Sequence, residues 1–210
     1  SWPLFAAIAE SGTGMTGAIN KFQRILGIKA PPGLRPHIDL GARERPVVFV
    51  THMEHHSNQT SWCETIGDVV VIPPDERGLV NPAALEALLR EHRDRPVKLG
   101  AFTACSNVTG IATPYHALAK LMHQAGGVAF VDFAASAPYV PIDMHPADPE
   151  ERLDAVTFSP HKFLGGPGSS GSSSTPASAL CRSTWLWAGS SAFTSAASRD
   201  TTTTPVQSLL

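Results

Sequence analysis

A hydroxyl, an imidazole and an amine fall within four residues in Ser159-Pro160-His161-Lys162, and glycines follow at Gly165, Gly166 and Gly168. A lysine amine is protonated at its ordinary pKa of about 10.4 and is a poor nucleophile in that form. Desolvation or a neighbouring positive group lowers the pKa and frees an amine able to form a Schiff base with a carbonyl compound. The glycines let the backbone come close to a ligand. A plain surface turn with an ordinary lysine fits residues 159–168 equally well. Other reactive residue types stand far away in sequence, at His55, Asn107 and Asp132. The chemistry depends on whether the fold gathers them.

Apolar runs at 46–51, 69–72, 97–103, 127–131 and 154–158 predict strands. Ile19, Phe22, Ile25 and Leu26 recur at helical spacing before Gly27 and predict a helix. Asn81-Pro82 opens a second helix through Leu89, as N-cap and first-turn proline. Pro114 starts a third, with Leu118, Leu121 and Met122 on one face and Gly126 as its stop. Strands alternating with helices at these intervals predict an α/β fold, a mostly parallel sheet flanked by helices. His55, Asn107, Asp132, Ser159, His161 and Lys162 then stand where strands finish, at the sheet edge where such folds bind ligands. Each also has a plainer explanation. Asn107 can hold a turn, Asp132 can cap the next segment, and His55 can pack in the core.

Two further stretches suggest ligands. The turn Gly12-Thr13-Gly14-Met15-Thr16-Gly17 leads into the first helix, and free N–H groups at a helix start suit a phosphate. His52, His55 and His56 suggest a metal, but they follow a strand with no helix predicted to set two of them one turn apart, so no metal is expected.

The chain has 210 residues, 42% of them hydrophobic, and a net charge of -2. No apolar run is long enough to span a bilayer, and no basic tract points to nucleic acid. Three widely spaced cysteines, Cys63, Cys105 and Cys181, fit a reducing compartment and a cytoplasmic location. Ser1-Trp2-Pro3 lacks the basic-then-apolar order of a signal peptide, and an opening without Met fits a piece of a longer protein. Residues 1–13 predict no element. From Ser172 onward seventeen of 39 residues are Ser or Thr, which reads as a separate tail, 172–210, disordered or frame-shifted. Threonine codons begin A-C, so reading Thr201–Thr204 one base earlier yields only Tyr, His, Asn or Asp, a more ordinary mixture for a folded enzyme.

Residues 12–171 resemble the class V aminotransferase family of pyridoxal-phosphate enzymes, which includes the cysteine desulfurases. The resemblance rests on Gly14-Met15-Thr16-Gly17-Ala18-Ile19-Asn20, on Glu54-His55-His56-Ser57-Asn58 followed by Trp62, on Ser106-Asn107-Val108-Thr109-Gly110, on Val131-Asp132, and on Ser159-Pro160-His161-Lys162. It implies that residues 1–171 are part of a pyridoxal-phosphate-binding large domain, with Lys162 holding the cofactor as a Schiff base and moving the substrate's α-proton. By the same resemblance His55 stacks on the ring, Asp132 faces the pyridinium nitrogen and Asn107 meets the phenolic oxygen. Thr16, the backbone of Met15, Ser159 and His161 hold the phosphate. The implied reaction is transamination of an amino acid or desulfuration of cysteine, in a homodimer. The alternative is a catalytically inactive fragment that at most binds cofactor. Two departures stand out. Desulfurases usually carry a glutamine where this chain has Ala135, and neither the substrate-binding arginine nor the sulfur-accepting cysteine of the family's C-terminal domain is recognisable.

Overall fold

The computed structural model of this chain describes residues 6–11, 14–41, 43–165 and 171–176. Among these residues seven strands form one sheet: β1 (Ala6–Ser11), β2 (Val47–Thr51), β3 (Asp68–Ile72), β4 (Lys98–Thr103), β5 (Val128–Asp132), β6 (Ala155–Phe158) and β7 (Gly171–Pro176). Their order across the sheet is β1-β7-β6-β5-β4-β2-β3. The five strands β3, β2, β4, β5 and β6 are parallel, and β7 and β1 add two antiparallel pairings at one side. The helices are α1 (Gly14–Ile25), α2 (His56–Cys63), α3 (Pro82–Glu91) and α4 (Tyr115–Gln124).

Every residue of β2 and β4 is buried, as expected of parallel strands covered on both faces. Alternate side chains of β2 enter different cores. Phe49 packs with Leu85, Leu89, Leu118 and Met122 from α3 and α4, whereas Val48 and Val50 pack with Ile19, Phe22 and Trp62 from α1 and α2. Burial of each large apolar side chain contributes roughly 1.5–3 kcal/mol. Asn81 caps α3 by accepting the N–H groups of Ala83 (3.1 Å) and Ala84 (3.4 Å).

The expected mostly parallel α/β sheet is what the structure contains. Three local expectations differ from it. Residues 6–11 form β1, although Ala-Ala-Ile-Ala-Glu-Ser has no strand-like alternation; its pairing with β7 supplies the order that local pattern does not. Helix α2 has no signature in the sequence, because His56–Cys63 has one large apolar residue, Trp62, and therefore no apolar period. Full burial of that indole anchors the helix instead. The boundary expected at 171/172 falls within β7, where residues 172–176 pair in the sheet. Residues 177–210, the rest of the expected tail and Cys181 with it, lie outside the described residues. No helix among the described residues is long and apolar enough to cross a membrane.

Candidate active site

The C-terminal ends of β4, β5 and β6 lie side by side. Thr103 is registered with Asp132, and Asp132 with Thr157. A cavity of about 210 Å³ opens over this edge. Met15 and Thr16 reach it from the start of α1, His55 from the turn before α2, Asn107 from the turn after β4 and Asp132 from the end of β5. Ser159, His161 and Lys162 arrive from the short 3-10 turn after β6. All eight residues singled out in the sequence therefore line one cavity.

Asp132 forms its floor and is 5% exposed. Its Oδ1 accepts the Ala134 N–H at 2.8 Å, and Oδ2 accepts no hydrogen bond from the described residues. Burial raises the carboxyl pKa from 3.8 to about 6, against the opposing pull of the Ala134 N–H and the Lys162 charge. His55 is the N-cap of α2: its Nδ1 accepts the Ser57 N–H at 3.2 Å and lies 2.7 Å from the Ser57 hydroxyl. An accepting Nδ1 puts the ring proton on Nε2. Desolvation, then the neighbouring His56 and Lys162, lower the His55 pKa and favour the uncharged ring.

The opposite wall is clasped together from distant segments. Met15 N–H donates to Ser159 Oγ at 3.1 Å, joining the start of α1 to the end of β6. Expected to reach a phosphate, this N–H is engaged by Ser159 here. Gly14 has φ +67°, and a Cβ there would lie 2.8 Å from His161 Cε1, so the imidazole packs where a side chain would be. Both the backbone conformation and the close approach require glycine. Thr16, Asn107, His161 and Lys162 are exposed to the cavity mouth.

Thr103, Cys105 and Ala134 also line the cavity, and their position at or just beyond strand ends is the only mark of it in the sequence. The metal alternative has no geometric support. His52 turns away to the Gly78 carbonyl at 3.0 Å, and no group of three or more His, Cys, Asp or Glu converges among the described residues.

The family description "Aminotransferase class-V" matches residues 34–170. The chain belongs to the class-V aminotransferase family. Met15 and Thr16 lie outside the matched span and join the site through the fold. This class-V chain is 36% identical over 125 residues to a cysteine desulfurase of Enterobacter sp. (strain 638), a match that covers 58% of this chain and 29% of that protein. It is 33% identical over 125 residues to a probable cysteine desulfurase of Mycobacterium leprae, covering 58% of this chain and 19% of that one. Among solved structures it resembles the cysteine desulfurase CsdA of Escherichia coli (TM-score 0.60, 26% identity, 82% of this chain and 39% of that chain). A NifS-like protein of Rickettsia africae shares the fold (TM-score 0.62, 19% identity, 81% and 40% covered). The chain thus spans less than half the length of each. Pyridoxal 5′-phosphate is the cofactor of class-V aminotransferases and cysteine desulfurases.

The residues present fit that cofactor. A buried carboxylate with one oxygen free of protein donors suits a pyridinium N–H. The α1 start, Ser159 and His161 make a polar, electropositive end suited to a phosphate. Lys162 stands between these features in the sense that its charge acts on both Asp132 and His55.

Proposed function

We propose that this chain carries the cofactor-binding half of a pyridoxal-phosphate enzyme acting on an amino acid, by transamination or by desulfuration of cysteine. The observation that supports it best is the convergence of Lys162, Asp132 and His55, three residues spread over 108 positions, on one cavity. When bound, pyridoxal phosphate supplies an electron-poor ring that takes up the electron pair left at the substrate's α-carbon.

The chain's own groups do the rest. Lys162 Nζ would hold the cofactor through its aldehyde carbon and, once released by an incoming amine, carry the proton at the α-carbon. Asp132, with a pKa of about 6, is mostly ionised at neutral pH and would keep a pyridine nitrogen protonated. An uncharged His55 ring offers a flat face for stacking and adds no positive charge beside Lys162. Asn107 would donate to the phenolic oxygen, with Ala135 too short to assist. Thr16, Ser159 and His161 would hold the phosphate, with the α1 dipole behind them. Its widely spaced cysteines support a reducing, cytoplasmic setting, and we expect a homodimer.

A second reading has its own support. No arginine lines the cavity among the described residues, so no guanidinium is present to grip a substrate carboxylate. On that reading the 210 residues bind cofactor and turn nothing over.

The test is to add pyridoxal phosphate to the purified chain, reduce with borohydride and map the labelled residue by mass spectrometry. A stoichiometric adduct on Lys162 supports the reading. Scattered labelling over Lys21, Lys98, Lys120 and Lys162 sinks it. Release of sulfide or alanine from cysteine, or of a keto acid from another amino acid, separates the enzyme from the inert binder.

A further inference from the structure

Beside the cavity, behind Thr103, lies a second carboxyl group that the chemistry above does not use. Glu54 is partly exposed as a residue, but its carboxyl group is enclosed by hydrogen-bond donors. Oε1 accepts the Thr51 hydroxyl at 2.7 Å, the Thr51 N–H at 3.3 Å and the Thr103 N–H at 2.7 Å. Oε2 accepts the Asn58 amide at 2.8 Å. Asn58 cannot turn over to suit a different partner, because its Oδ1 accepts the indole N–H of the fully buried Trp62 at 3.1 Å. The four donors come from the end of β2, the end of β4 and the first turn of α2. Of these, β2 and α2 are the elements on either side of His55, the residue next to Glu54 in the chain.

We propose that Glu54 is a positioning residue: its carboxylate clamps the ends of β2 and β4 to α2, holds His55 over the cavity, and loosens that hold when it takes up a proton. The groups facing it are Thr51 from β2, Asn58 from α2, Thr103 from β4 and, across Thr103, Asp132 from β5. Only Asp132 among them can carry charge. Burial pushes the Glu54 pKa from 4.5 up to about 7 and the Asp132 charge adds to the rise, while the bonds from Thr51, Asn58 and Thr103 pull it down. Every hydrogen bond to the carboxyl is donated by its neighbours, so a proton on either oxygen displaces one of them and loosens the clamp.

The geometry makes one substitution informative. Glu54→Gln keeps the size, but its amide nitrogen either faces the Asn58 amide, donor to donor, or faces the three donors of Thr51 and Thr103. A buried donor left unpaired in this way is expected to weaken whatever His55 holds by about tenfold.

The inference rests on the pyridoxal-phosphate reading in its binding arm and is independent of it in the other. In the cofactor-free full chain, the His55 ring carbon is followed by NMR across pH 4 to 9. His56 and Lys162 are the charged neighbours that act on His55 itself. Besides the ring's own titration, the wild type is expected to show an inflection near pH 7, lost in Glu54→Gln. Thr51→Val removes one anion-stabilising donor and is expected to move that inflection to higher pH. This arm stands even where Glu54→Gln fails to fold. An inflection retained unchanged in either variant, or none in the wild type, overturns the proposal. In the second arm, pyridoxal phosphate is titrated into wild type and Glu54→Gln, with borohydride mapping of Lys162 in both. About tenfold weaker binding with the adduct still on Lys162 supports positioning, and equal affinity overturns it. Absence of any adduct on wild-type Lys162 refutes the cofactor reading and leaves the NMR result to decide on Glu54.

Discussion

The floor and the rim of the cavity are built by different means. Asp132 ends a buried strand, is 5% exposed and is registered with Thr103 on one side and Thr157 on the other. Lys162 and His161 sit on a single 3-10 turn, exposed, beyond a four-residue strand. The floor is positioned by the sheet and is present as soon as the sheet forms. The rim is positioned by two clasps, Met15 to Ser159 and Gly14 under His161. In a site of this kind the carboxylate is misplaced only when the sheet is disturbed, whereas the lysine can be misplaced by small local changes.

The sharpest separation of the two comes from Lys162→Ala. The variant is expected to lose the borohydride-trapped adduct entirely while its thermal melting in the absence of cofactor stays near wild type, because the side chain is exposed. A large drop in melting temperature would mean the rim supports the floor after all.

Asp132→Asn probes the floor in the opposite sense. The folded-state pKa is raised from 3.8 to about 6, so between those values the folded chain holds a proton the unfolded chain has released. Stability therefore falls as pH rises through that window. Asparagine has no charge to bury, and its Oδ1 can still accept the Ala134 N–H. Above about pH 7 the variant is expected to be more stable than wild type by on the order of 3 kcal/mol, with no difference near the foot of the window. Urea midpoints across pH 4 to 8 measure this, and parallel curves for the two proteins would show that Asp132 is not strained by burial. Its cofactor affinity is expected to fall even as stability rises.

Gly14→Ala breaks the rim clasp. Adopting φ +67° costs an alanine about 1–2 kcal/mol, and the new Cβ pushes on His161. A melting temperature lower by a few degrees and weaker pyridoxal phosphate binding are expected, and unchanged values of both would discount the clasp. Ser159→Ala is the mildest change. It leaves the Met15 N–H without its acceptor, at about 1 kcal/mol, and is expected to weaken binding of inorganic phosphate more than it lowers stability. The reverse order would make Ser159 a purely structural link.

The same division decides what could be read from sequence. Strands β2, β4 and β5 are continuous apolar runs with polar residues after them, so their ends, and the site residues on them, were legible. Asn81-Pro82 announced α3 by its chemistry alone. Helix α2 was hidden, because one buried indole and a histidine cap do in this fold what an apolar stripe does elsewhere. Strand β1 owes its form to a partner some 165 residues away, registered from Ala6↔Pro176 to Ser11↔Gly171, which no local window contains. Met15 and Thr16 were legible as a glycine turn before a helix, but that the Met15 N–H would find Ser159, 144 positions on, was not. Glu54 was visible as one letter of a motif. Its four donors come from three elements, and only the assembled sheet brings them around it.

At the other end of the floor strand, Asp154 Oδ2 takes both the Ala129 N–H at 2.8 Å and His123 Nε2 at 2.7 Å, with histidine and aspartate each 5% exposed. Ala129 is three residues, about 10 Å along an extended strand, from Asp132. This pair is the datum from which the strand's length is measured out, and a one-residue slip at Ala129 would turn Asp132 to the opposite face of the sheet. Damage at Asp154 or His123 would thus surface as a displaced carboxylate in a cavity neither residue touches. Faster amide exchange at Phe130–Asp132 in Asp154→Asn would reveal it before any assay of chemistry did.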